Sequence, residues 1–125
     1  MNVLVILIVL LSFNLLADRL SDRGLFCRLD NKESSDFLFE AFLFSENTFV
    51  SLYLDIKDKN VIIKQSRPES YTLDEKYINL RGLKIDNKKL WYQTMGGTFY
   101  CQILSSKLLI ENVKYMQKKK SKNLN

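Results

Sequence analysis

The sequence predicts an all-β fold, a small antiparallel barrel or sandwich of about eight short strands, preceded by an N-terminal signal peptide. First, turn-forming clusters recur at short intervals: Asp30-Asn31-Lys32, Ser45-Glu46-Asn47, Asp58-Lys59-Asn60, Arg67-Pro68, Arg81-Gly82, Asp86-Asn87-Lys88 and Gly96-Gly97. Second, the stretches between them, at 25–29, 37–44, 48–56, 61–65, 77–80, 83–85, 90–95 and 98–104, are rich in aromatic and branched residues. Short segments at such spacing, without a 3.6-residue period between them, are the mark of an antiparallel β domain. Third, two cysteines, Cys27 and Cys101, stand near the two ends of the folded part.

Residues 1–17 carry no charged side chain, and 3–11 is an unbroken apolar run before the polar shift at Asp18-Arg19. The run has the length of a signal-peptide core and falls short of the ~20 residues that a spanning helix needs. Cleavage after Ala17 would leave 108 residues (125 less 17), a single domain. The organisation expected is a signal peptide over 1–17, one β domain over 18–117 and a basic disordered tail over 118–125. An uncleaved anchor over 1–17 is the alternative. Export implies an oxidising compartment, where an even pair of cysteines reads as a disulfide. Closing the 74 positions between Cys27 and Cys101 would stabilise by about 4 kcal/mol on the chain-entropy argument.

In the first strand Leu25, Cys27 and Leu29 alternate with Phe26 and Arg28, so the cysteine side faces the core. Segment 37–44 is apolar on both sides, with Phe37 and Phe39 on one face and Phe42 and Phe44 on the other. Such a strand is buried on both faces or covered by the terminal segment. In the hairpin over 90–104, a two-residue Gly96-Gly97 turn of type I′ would pair Gln93 with Tyr100, Tyr92 with Cys101 and Trp91 with Gln102. Leu90, Tyr92, Phe99, Cys101 and Ile103 then face the core, and Trp91, Gln93, Tyr100 and Gln102 face outward. The last segment is ambiguous. Leu109, Val113 and Met116 fit a helical stripe, while Leu108 and Ile110 fit a closing strand. A strand ending near Gln117, then the frayed tail, is expected.

Composition removes several chemistries. With no histidine in the chain, Ser-His-Asp and Cys-His triads and His-ligated zinc are excluded. Paired cysteines leave no thiolate nucleophile and no Cys-based metal site. The acid groups Asp30/Glu33/Asp36, Asp55/Asp58 and Asp74/Glu75 all sit in or beside turns, where carboxylates are solvated. Gly96-Gly97 joins two β segments and so lacks the strand-to-helix setting of a phosphate loop. The expectation is a non-enzymatic protein with no cofactor and no metal.

Trp91 and Tyr100, flanked by Gln93 and Gln102, form the sharpest candidate binding surface. Rigid amphipathic rings beside amides suit a glycan or a protein ligand. The chain has 19 basic and 14 acidic residues, a formal +5, with much of the excess in Lys114, Lys118, Lys119, Lys120 and Lys122. A near-neutral body argues against specific nucleic-acid binding, while the lysines allow weak contact with a membrane surface.

A small exported β domain with one cysteine near each end resembles, in layout, the periplasmic inhibitors of c-type lysozyme. The segment nearest to that family's inhibitory loop, Pro68-Glu69-Ser70-Tyr71, lacks its glycine, so no family is assigned and no residue role is carried over. The expected function is a binding or inhibitor module acting in the periplasm or outside the cell. The alternative is an envelope-associated structural protein held by an uncleaved N-terminus or by the basic tail.

Overall fold

A computed structural model of the chain describes residues 19–29 and 38–124. The expected signal peptide, together with Asp30, Glu33, Asp36 and Phe37, lies outside the described residues. Nine antiparallel strands are followed by one helix: β1 (Arg23–Leu29), β2 (Phe39–Phe44), β3 (Thr48–Lys57), β4 (Asn60–Gln65), β5 (Glu69–Leu73), β6 (Tyr77–Leu80), β7 (Leu83–Asp86), β8 (Trp91–Thr94), β9 (Gly97–Ser105) and α1 (Ser106–Leu124). Eight of the strands run in the order β7-β6-β5-β3-β2-β1-β9-β8, and β4 joins β3 off this path. The ends of the path, β7 and β8, come into contact, so the sheet forms a nearly closed barrel.

The long strand β3 serves two partners along one edge. Its second half pairs with β4 from Leu52↔Gln65 to Lys57↔Asn60, and its start pairs with β5 through Thr48↔Ser70 and Phe49↔Glu69. The break between them falls at Ser66–Pro68, where proline has no N–H to give to a ladder. Ser66 repairs it: its N–H donates to the Ser51 carbonyl at 2.9 Å, and its Oγ accepts from the Ser51 N–H at 2.8 Å.

Two apolar cores share the β1–β2–β3 wall. Inside the barrel, Leu20, Leu25, Phe44, Ile78, Leu80 and Ile85 are at most 1% exposed. Phe44 meets the Tyr71 ring edge-on at 5.0 Å, and Tyr92 stacks on Phe99 at 5.0 Å. Cys27 and Cys101 face each other directly across β1 and β9, with sulfurs 2.05 Å apart. Outside the barrel, Phe26, Ala41 and Leu52 pack under Leu109, Val113 and Met116 of α1. This second core explains why β2 is apolar on both sides: Phe42 and Phe44 point inward, and Phe39 packs toward the helix.

The C-terminal segment corrects the expectation. Residues 106–124 form one helix, not a strand with a frayed tail, so Lys118, Lys119, Lys120 and Lys122 are helical. Ser105 caps it, its Oγ accepting from the Leu108 N–H at 3.2 Å, as an N-cap serine does. Burying Leu109, Val113 and Met116 to 2% exposure or less stabilises by roughly 1.5–3 kcal/mol per side chain, which holds a lysine-rich segment helical. Gln117 adds a tether, its Nε2 donating to the Val61 carbonyl at 2.8 Å.

The hairpin register also differs from expectation. Trp91 pairs with Tyr100, Tyr92 with Phe99, Gln93 with Thr98 and Thr94 with Gly97, leaving Met95-Gly96 as the turn. Only Gly97 takes a positive φ, 135°, so the type I′ turn is not formed. Thr94 Oγ1 organises the bend instead, accepting from the Gly96 N–H at 3.1 Å and donating to the Gly97 carbonyl at 3.3 Å. The slip is two positions, an even number, so every side chain keeps its expected face.

Candidate binding surface

The register of four neighbouring strands sets one row of side chains across the outside of the barrel. Phe39 pairs with Arg28, Arg28 with Tyr100, and Tyr100 with Trp91. At the usual spacing of about 4.8 Å between strands the row spans roughly 14 Å. Tyr100 is 52% exposed, Arg28 is exposed and Trp91 is half-buried. Gln93 and Gln102 are exposed on the same face, Gln93 opposite Thr98 and Gln102 opposite Phe26. At one end Phe39 stacks against Phe26, ring centres 5.5 Å apart, and so joins the row to the core under α1.

All four expected platform residues therefore share one open face, and Trp91 and Tyr100 are closer partners than the expected register made them. Arg28 and Phe39 are additions. The alternation of β1 already pointed Arg28 outward and the expected Cys27–Cys101 disulfide tied β1 to β9, but nothing in the sequence set β2 and Phe39 beside β1. Arg28 forms no salt bridge among the described residues, and its register places it beside the exposed Tyr100.

A second feature lies on the inner side, at the barrel mouth. A cleft of about 160 Å³ is lined by Glu40, Phe42, Phe49, Leu80, Leu83 and Arg81, with Ser51. Part of Glu40 is open to solvent, yet desolvation against this apolar lining raises its carboxyl above the usual range. Tyr92 is 4% exposed, and among the described residues its hydroxyl has no hydrogen-bond partner. Burial, and then the charge of Glu40, push its ionisation well above that of an ordinary tyrosine. Arg81 is held by Glu69 through both guanidinium and carboxylate edges. Glu40 at the mouth and Tyr92 inside the barrel thus both favour the protonated form.

Three of the other acids have structural work. Asp74 Oδ1 accepts from the N–H groups of Lys76 (2.8 Å) and Tyr77 (2.7 Å), and its Oδ2 accepts from Asn79 at 3.0 Å. These bonds, the Asn79 one foremost, hold its carboxyl below the usual range. Asp86 does the same for the turn before β8, accepting from Lys88 and Lys89. Asp55 pairs with Lys64 across β3 and β4 at 2.8 Å. Among the described residues no three or more His, Cys, Asp or Glu side chains are placed to hold a metal ion, and no helix is long and apolar enough to cross a membrane.

Fold and surface together define a small β-barrel, cross-linked by adjacent strands and braced by one outer helix, with an aromatic row on its open face. No protein-family model matches the sequence, and no curated protein or solved structure is significantly similar to it.

Proposed function

We propose that the protein is a non-enzymatic binding or inhibitor module acting in the periplasm or outside the cell, and that its contact surface is Trp91 and Tyr100 with Gln93 and Gln102. The observation that carries this reading is the direct pairing of Trp91 with Tyr100 on a face that α1 leaves open. Two adjacent flat rings supply contact area at low entropic cost, and the two amides orient a ligand by hydrogen bonds. Arg28 extends the row and supplies a cation. The cysteine pair at bonding distance fits an exported protein.

Trp91 is the single tryptophan, so its emission reports this surface alone. In the free protein the emission should be open to acrylamide. A ligand found by screening glycans and envelope proteins should protect it, and Trp91→Ala, with the fold intact by circular dichroism, should lose at least about tenfold in affinity, the loss of an aromatic contact. Unchanged affinity of Trp91→Ala for such a ligand would end the proposal.

A further inference from the structure

The charge of the protein is concentrated on α1. The helix carries six lysines and one glutamate, a net +5 equal to the formal charge of the whole chain. The rest therefore holds 13 basic residues (19 less 6) and 13 acidic ones (14 less 1). The described residues of the barrel, 19–29 and 38–105, hold 12 basic and 9 acidic side chains, so α1 is the most strongly charged element and is drawn first to an anionic surface.

The lysines are also arranged. With Leu109, Val113 and Met116 turned to the barrel, the 3.6-residue turn places Lys107, Lys114, Lys118 and Lys122 on the opposite side, with the single acid Glu111 among them. The 15 steps from Lys107 to Lys122 span about 22 Å at 1.5 Å per residue. Helix stability does not call for this pattern throughout. Lysines suit the last turn, where the macrodipole is negative, but the first turn has no acid and contains Lys107.

Apolar side chains stand beside the lysine row. Leu108 is 49% exposed and Tyr115 57%, and the seven positions between them put both on one line along the helix. The Lys119 ammonium lies over the Tyr115 ring, 5.4 Å from its centre. Near the helix end, Gln117, Lys118, Ser121 and Lys122 line an open depression of about 320 Å³. Lys118 and Lys122 beside it offer ammonium donors to the oxygens of a phosphodiester, and exposed Leu108 and Tyr115 flank the lysines with apolar surface.

From this arrangement we infer that α1 is a peripheral membrane-docking helix, which seats anionic phospholipid headgroups on Lys114, Lys118 and Lys122 with Leu108 and Tyr115 entering the interface. It lies on the bilayer by its outward face, because its inward face is committed to the barrel. Cation row and apolar flank together select a lipid surface over a hydrophilic polyanion.

The test is co-sedimentation of the full chain with phosphatidylcholine vesicles made with and without phosphatidylglycerol. Binding should require phosphatidylglycerol and weaken with salt. The triple variant Lys114→Glu, Lys118→Glu, Lys122→Glu should lose roughly a hundredfold or more in partitioning, from about fivefold per lysine. Leu108→Ser with Tyr115→Ser should weaken vesicle binding but leave retention on heparin unchanged. Vesicle binding that ignores phosphatidylglycerol, or that the triple glutamate variant retains while folded, would overturn the inference. So would lysine-dependent retention on heparin without binding to vesicles.

Discussion

Gly24 is where α1 crosses β1, and replacing it with alanine should force the two apart. A Cβ at this position would lie 2.5 Å from Leu109 Cδ2, 2.7 Å from its Cβ and 2.8 Å from its Cγ. Carbon atoms in contact rest about 3.5–4.0 Å apart. A new rotamer could move Cδ2, but Leu109 Cβ is fixed to the helix backbone, so the helix itself must retreat by about an ångström. The backbone at Gly24 is not in the left-handed region, so the cost is steric alone. Overpacking of this kind costs about 1–3 kcal/mol, or a fall in Tm of roughly 4–8 °C per kcal/mol for a domain of this size. Leu109→Ala alone should cost about 2–5 kcal/mol as a cavity. In the double variant the Cδ2 and Cγ clashes are gone and only the Cβ contact remains. The two effects should therefore fall short of adding by about 1 kcal/mol or more. Urea unfolding followed by Trp91 emission and far-ultraviolet circular dichroism measures all four corners of the cycle. Strict additivity, or a Gly24→Ala variant within about 0.5 kcal/mol of the parent, would show that the helix does not press on β1 as described.

Two further outcomes are expected. Asn87 is 9% exposed, and its Nδ2 donates to the carbonyls of Asp74 and Glu75, each at 2.9 Å. Asn87→Ala strips both and should cost about 1–3 kcal/mol by thermal melting; a loss below about 0.5 kcal/mol would mean that solvent satisfies those carbonyls. Glu40 has a carboxyl raised by desolvation, so the folded state binds its proton more tightly than the unfolded chain does. Its contribution to stability is present at acid pH and lost as pH rises through the carboxyl range. Glu40→Gln should therefore be more stable than the parent in urea at neutral pH, with the difference closing in acid; a neutral-pH loss of stability would refute the desolvation reading.

The strands were legible because their punctuation is local. Eight expected segments correspond to β1–β4 and β6–β9, since Asp, Asn, Gly and Pro mark the turns and period-2 alternation marks the faces. The strand missed, β5, offers only Tyr71 and Leu73 as apolar positions and follows Pro68, a residue that argues against pairing. The helix was obscured by composition. Three well-spaced apolar residues among lysines make a weak signal until Phe26, Ala41 and Leu52 supply the surface that they cover. Of the candidate surface, the faces of Trp91, Gln93, Tyr100 and Gln102 could be read from alternation. Arg28 was within reach of the same reading, because the Cys27–Cys101 pairing ties β1 to β9, whereas Phe39 depends on strand order, which is a long-range property. Glu40 gave no signal either, since a lone acid inside an apolar strand acquires its environment only when the barrel curls around it.

The wall shared by two cores bears on how freely the sequence can drift. In an ordinary half-buried strand every second position is free to vary, because one side meets only water. Along much of β1, β2 and the first half of β3 neither side does: Leu25, Cys27, Phe42, Phe44 and Phe49 fill the barrel while Phe26, Ala41 and Leu52 bed the helix. Substitution there has few harmless positions. A saturation library scored for abundance should divide the chain sharply, with consecutive intolerant positions along this wall and alternating tolerance through β5 to β8. The protein would thus evolve from one side of the barrel while the other stays fixed.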